Sequence, residues 1–324
     1  MILATKGAVA HSGGPSGLPY LWVSVGDSGK LYTSTSTTAS SWTSRTSSFG
    51  GGNIQAVASN GTSLYVAVAQ SGLLATSPDG ITWTQRTSGF GSDDILEVAY
   101  GDGYWVIVGA TGKIATSTDG ITWTLRTSGT TQDLRAVAFG NGLFVAHEGG
   151  GSYRFFTASD PTTTWTARTS TFSSALFGRN AVYYCPYRAI WVAGCDSGTS
   201  GALAYSTNGT TWTAASSAFA VSGLNNTFCS IPSAIANFTT TSVIPSAMDT
   251  QSSTTGTSWT NRTPSFSNDS PQCMSVDDLG TLVLLGFSVG IQTSTNGTSW
   301  TTRTYPSSGM RGICHSSALP GSRP

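Results

Sequence analysis

Few side chains in this sequence could do acid–base or anion chemistry, and those few recur at regular intervals. The short motif Trp-Thr-x-Arg-Thr places arginines at Arg45, Arg86, Arg126, Arg168, Arg262 and Arg303, with Ala215 at the remaining copy. Six guanidinium groups from six repeats could form an anion-binding ring, or each could tie a local loop carbonyl or a neighbouring unit. Four residues past that position stands an aromatic ring in five copies: Phe49, Phe90, Phe172, Phe219 and Phe266. Exposed, these rings would be stacking platforms for a sugar or a partner protein; buried, they would cap a core. The loops that hold them also hold Asp93, Asp94, Asp133, Asp269 and Arg179. Carboxylates from different loops could be paired for glycoside hydrolysis, or could simply bind. The expected binding face is therefore the one carrying Asp93, Asp94, Asp133, Arg179, Asp269 and the five phenylalanines, because loops on a rigid scaffold usually carry function.

Other chemistries are poorly provided for. Glu97 and Glu148 are the two glutamates, and His11, His147 and His315 are far apart without metal-ligand spacing. No nucleophile elbow or phosphate loop is present. The five cysteines, Cys185, Cys195, Cys229, Cys273 and Cys314, include no CxxC pair and read as small buried hydrophobes. No metal, cofactor or catalytic residue is expected.

The elements that must position these residues are marked by tryptophans at 42, 83, 123, 165, 212, 259 and 300. Their six intervals average about 43 residues, a period typical of a supersecondary unit stacked on its neighbours. The third repeat divides into four strand patterns: 95–100, 104–108, 113–117 and 122–126, called A to D in order. An Asp119-Gly120 hairpin signal separates the last two. The expected fold is all-β: a seven-bladed β-propeller with four antiparallel strands per blade over residues 1–316, and a short tail at 317–324. Strand-A patterns occur both at 7–11, opening the first repeat, and at 310–315. The C-terminal copy is the favoured latch for the ring, since joining both chain ends in one blade removes an open sheet edge. The other copy would be left as a possible attachment arm. The sixth repeat is the most degenerate.

The hairpins Ser77-Pro78-Asp79-Gly80-Ile81-Thr82-Trp83, Ser117–Trp123, Ser206–Trp212 and Ser294–Trp300 resemble the Asp-box, or BNR, repeat of propeller blades. They lack the residue that the family places between Asp and Gly, and Asn208 and Asn296 stand in for Asp in two copies. The resemblance implies structural roles for Asp79, Asp119, Asn208 and Asn296, which would cap the turn, and for Trp83, Trp123, Trp212 and Trp300, which would pack between blades. The family includes sialidases, so a glycosidase is one implied function. Those enzymes are six-bladed and carry an Arg-Ile-Pro element, which this sequence lacks, and it has seven repeats.

Composition bears on partners. Charged residues make up 9% of the 324 and the net charge is zero, so a phosphate backbone is not an expected partner. No apolar run reaches membrane-span length, and the N-terminal residues do not form a signal peptide pattern. Thr/Ser/Gly-rich propellers of this style resemble those encoded among phage tail and virion structural genes. That resemblance implies a non-catalytic particle-surface protein, exposed outside the cell after release. Its partners would be other virion proteins and a host surface glycan. The competing expectations are a sialidase-like hydrolase and an architectural protein held through a spare terminal strand.

Overall fold

Apolar β-branched and aromatic residues dominate the first two strand patterns of each repeat, whereas the fourth is Thr-rich and polar. The burial follows that gradient. In the computed structural model Ile54–Ser59 and Tyr65–Ala69 are buried along their whole length, while Thr84–Thr87 is mostly exposed. A sheet buried on both faces at its inner strands and wet at its outer edge is a propeller blade. The structure describes residues 2–5, 8–11, 20–149, 154–169, 181–185, 189–196, 201–215, 229–230, 238–244, 247–253, 255, 257–258, 260–262, 271–276, 281–286, 290–304 and 307–316.

The third blade shows the plan: Ile95–Gly101, Tyr104–Gly109, Ile114–Ser117 and Thr124–Arg126 pair antiparallel in that order. The same order holds in the second blade (Ile54–Thr87), the fourth (Leu134–Arg168), the fifth (Ala181–Ala214) and the last (Pro271–Arg303). In the first blade the inner strand comes from the other end of the chain. Met310–Ser316 pairs antiparallel with Leu21–Gly26, aligning Trp22 with His315 and Val23 with Cys314.

Two expectations need correction. The expected seven-bladed ring is corrected to six blades, with inner strands of five to seven residues. The remaining four-stranded sheet, between the fifth and last blades, has an inner strand of two residues, Cys229–Ser230. Its middle is a hairpin of Phe238–Ile244 and Ala247–Ser253 joined by two residues. Loss of the usual glycine-containing turn in that repeat removes the geometry that sets a regular blade. The second correction concerns 7–11, expected to be left over as an attachment arm. Ala8–His11 is not an inner blade strand; it pairs with Ile2–Thr5 as a separate two-stranded sheet whose backbone runs beside inner strands of several blades. The tail at 317–324 lies outside the described residues.

Neighbouring blades meet through side chains from both. Trp212 of the fifth blade stacks on Phe155 of the fourth, with centroids 4.0 Å apart and planes within 7°. Trp83 joins Leu21, Val23 and Val25 of the first blade in one cluster with Tyr65 and Ala67 of its own. In the third, fourth and fifth blades the end of strand A pairs an aromatic with one on strand B: Tyr100 with Trp105, Phe139 with Phe144, Tyr184 with Trp191, at centroid distances of 4.7–5.0 Å. In the third and fourth blades the next residue on strand A is glycine for a steric reason. A Cβ on Gly101 would lie 2.0 Å from the Phe139 ring, and one on Gly140 would lie 2.2 Å from Tyr184.

Gly101→Ala should therefore destabilise the protein by about 1–3 kcal/mol, as overpacking does. The Gly101→Ala/Phe139→Ala pair should recover part of that loss relative to the sum of the single changes. Chemical denaturation of the four proteins measures both quantities. Strict additivity would show that the ring contact is not what requires glycine.

Candidate functional site

The site is best approached from the turns, because they explain where the polar groups go. At four hairpins between the third and fourth strands, one side-chain oxygen accepts three bonds. Asp79 Oδ1 takes the Ser77 hydroxyl at 2.9 Å and the N–H groups of Ile81 and Thr82 at 2.8 and 2.7 Å. Asp119, Asn208 and Asn296 repeat the arrangement. The following glycines, at φ of 68–73°, occupy the left-handed region that the tight turn needs. Trp83, Trp123 and Trp212 each donate their indole N–H to that glycine's carbonyl at 3.0–3.2 Å. Trp300 is partly buried, with its indole nitrogen shielded from solvent. Burial alone would raise the Asp79 pKa, but the bonds from Thr82, Ile81 and Ser77 outweigh it and hold the carboxyl below its usual range. Asp119 is lowered as well, chiefly by the Thr122 N–H.

The arginine series is also local. Arg45, Arg86, Arg126, Arg168 and Arg303 each donate Nε to a threonine hydroxyl on the third strand of the same blade, at 2.8–3.0 Å. They line successive blades one by one and do not converge. The Arg262 side chain lies outside the described residues.

The loop acids are joints between blades. The turn after strand B puts Ser28, Ser71 and Thr111 at positive φ, aiming their N–H groups at the next blade. There they meet Asn53 Oδ1 at 2.9 Å, Asp94 Oδ1 at 2.8 Å and Asp133 Oδ1 at 3.2 Å. The backbone carbonyls of Asn53, Asp94 and Asp133 accept the N–H of Gln70, Ala110 and Gly149 within their own blades. One residue before each inner strand thus clasps two blades at once. Asp93 instead binds Lys113 Nζ at 2.7 Å and the Thr111 hydroxyl at 3.1 Å, and these bonds lower its pKa.

Phe49 and Phe90 are 3% and 0% exposed, so they cap the cores and offer no stacking surface. Burial wins because the loop after strand D folds back over the blade. Arg179, Asp269, Phe172, Phe219 and Phe266 lie outside the described residues.

What these clasps frame is a concave polar site of about 290 Å³ at the start of the inner strands of the first four blades. Asp94, Asp133, Gln55, Gln70, Arg135 and Arg311 line it with Leu96 and Ala110. Arg135 pairs with Asp133 at 3.1 Å, and Arg311 pairs with Asp27. Gln70 reaches Asp94 at 3.5 Å. Amides, paired carboxylates and paired guanidinium groups can exchange hydrogen bonds in both directions with a neutral polar ligand. Of the residues expected at the site, the structure brings together Asp94 and Asp133. Gln55, Gln70, Arg135 and Arg311 were missed, although a visible signal existed: Gln55, Arg135 and Arg311 each interrupt an otherwise apolar inner strand at its second residue.

The two histidines whose side chains are described are not placed as neutral-pH bases. Burial pushes His147 and His315 down to about 3; His147 stacks on Phe155, while His315 meets Tyr20 edge-on and Trp22 at a tilt. Cys185, Cys273 and Cys314 are buried thiols. Among the described residues no cluster of three or more His, Cys, Asp or Glu is placed to hold a metal, and no helix is long and apolar enough to cross a membrane.

Acid should test the turns. The two lowered carboxylates stabilise the fold above the unfolded pKa of about 4, and that contribution is lost as pH falls through their lower folded values. Asp79→Asn and Asp119→Asn should leave neutral-pH stability within about 0.5 kcal/mol, because Asn208 and Asn296 already make the same bonds. The pair should also flatten the acid limb of a thermal-melting profile against pH. Asp79→Ala should cost about 1 kcal/mol at pH 7. An unchanged acid limb in the double Asn variant would show that these turns do not set acid sensitivity.

Comparison with known proteins agrees on the fold. Residues 16–92, which take in strands B to D of the first blade and all of the second, match the DUF6242 beta propeller domain. No curated protein matches the sequence. Among solved structures, YCF48 bound to D1 peptide superposes with a TM-score of 0.59 at 15% identity, over 92% of this chain and 86% of that one. A catalytically inactive virginiamycin B lyase from Staphylococcus aureus with quinupristin gives a TM-score of 0.65 at 12% identity, over 81% and 88%. YCF48 from Cyanidioschyzon merolae gives 0.56 at 12%, over 77% and 84%. At these identities the likeness is one of fold, and this chain is a β-propeller.

Proposed function

We propose that this propeller is a non-catalytic, Asp-box-type virion component of a phage, which uses the polar mouth of its ring to bind a host surface glycan or a neighbouring virion protein. The observation that carries the reading is the engagement of the acids at the mouth. Asp94 and Asp133 are clasp residues between blades, and the mouth arginines face Asp133 and Asp27. A glycosidase needs one carboxyl kept protonated and a second left able to attack or to activate water. Groups already committed to blade joints suit recognition better than turnover. The low charge and the Ser, Thr and Gly content favour a neutral, hydroxyl-rich surface suited to a particle outside the cell. A fold neighbour described with a bound peptide is a precedent for recognition by such a ring, although fold alone decides no function.

A glycan array read by retention, with mass spectrometry of each well for released sugar, is the test. Retention without product is expected. Arg135→Ala and Gln55→Ala should each weaken retention at least tenfold (about 1.4 kcal/mol) with little loss of melting temperature. Released product would overturn the non-catalytic reading. Absence of retention across the array would overturn glycan recognition and leave the virion-protein partner, to be tested by co-sedimentation with purified particles lacking this protein.

A further inference from the structure

A second surface, lined by residues other than those of the mouth, lies between the third and fourth blades. There the loop leaving Thr124–Arg126 runs between Lys113 of the third blade and Arg154 of the fourth, and with them encloses a groove of about 650 Å³. Every charged residue lining it is a cation: Lys113, Arg126 and Arg154. Two of the three charges are balanced from behind. Lys113 pairs with Asp93, and Arg154 pairs at 2.9 Å with Glu148, whose side chain is fully buried.

Arg126 is different. Its described hydrogen bond is Nε to the neutral Thr116 hydroxyl at 2.8 Å, and it forms no ion pair among the described residues. The hydroxyl and N–H of Thr162 hold the nearby Asp160 carboxyl below its usual range, and the Arg126 charge adds to this without a direct ion pair among the described residues. The groove's lining thus holds three cations and no anion, in a chain of zero net charge. This contrasts with the mouth, where each arginine faces an aspartate.

The groove is one half of a longer track. A second concavity of about 380 Å³ shares Leu125, Arg126, Thr127 and Gly129 with it and continues to Thr162–Thr164 and Trp165. Arg126 stands where the two meet, beside Leu125, which is 49% exposed. Both sides include threonine hydroxyls, among them Thr127, Thr131, Thr163 and Thr164, which can exchange hydrogen bonds in either direction with sugar hydroxyls. An open track of this length suits a chain more than a small molecule, and its central guanidinium suits a carboxylate.

We infer that this track is a second binding site, for an acidic polysaccharide segment whose sugar carboxylate is held by Arg126. It does not depend on what the mouth binds. Isothermal titration with hexagalacturonate, maltohexaose and hexaglutamate at low salt tests it. Hexagalacturonate should bind, at least tenfold more tightly than the neutral maltohexaose and more tightly than the acidic peptide, and added salt should weaken it. Arg126→Met should lower its affinity at least tenfold. Arg86→Met is the structural control: Arg86 makes the same bond, to Thr76 at 3.0 Å, but Leu73 stands where the third blade has Lys113. That variant should match any loss of melting temperature and leave binding unchanged, as should Arg135→Ala at the mouth. Equal binding of the acidic and neutral hexasaccharides, tighter binding of hexaglutamate, or unchanged affinity in Arg126→Met would each overturn the assignment.

Discussion

A small sheet that is apolar on both faces has no stable existence alone, and that constraint organises this protein. Each blade must bury its two inner strands against the blades on either side. The stacking of Trp212 on Phe155 and the shared cluster around Trp83 are the direct result. Closure follows from the same need. Without Met310–Ser316 beside Leu21–Gly26, the first blade would lack its inner strand and leave an open edge.

Polar groups are arranged to serve that stacking. A propeller of few charges has little Coulombic attraction to draw on, so its joints are made of directed hydrogen bonds. The residue before an inner strand (Asn53, Asp94 or Asp133) accepts from the preceding blade through its side chain and from its own blade through its carbonyl. Arg45, Arg86, Arg126, Arg168 and Arg303 tie the outer strand to the third strand through a threonine. Side chains that looked chemically active in the linear sequence are mostly spent on geometry.

Function is then left to what these ties do not consume. At the mouth, the polar second residues of the inner strands project into a shared concavity because the strands converge there. Between the third and fourth blades, one loop and two basic residues open a track whose central guanidinium forms no ion pair among the described residues. Both are surfaces between blades, and neither belongs to a single repeat.

The period of the tryptophans, the four strand patterns and the Asp-Gly or Asn-Gly turns were legible in the sequence because each depends on neighbours within a few residues. So were the local roles of Asp79, Asp119, Asn208 and Asn296. Three matters were decided only by the tertiary structure. Whether 7–11 or 310–316 completes the first blade depends on pairing across nearly the whole chain, and the two patterns look alike. Whether Phe90 faces water or core depends on how its loop folds back, which the spacing does not encode. Whether Asp94 is a ligand group or a clasp depends on the Ser71 N–H of the preceding blade, 23 residues away in sequence and 2.8 Å away in space. Local periodicity determines the unit; contacts between units determine which of its side chains remain available for function.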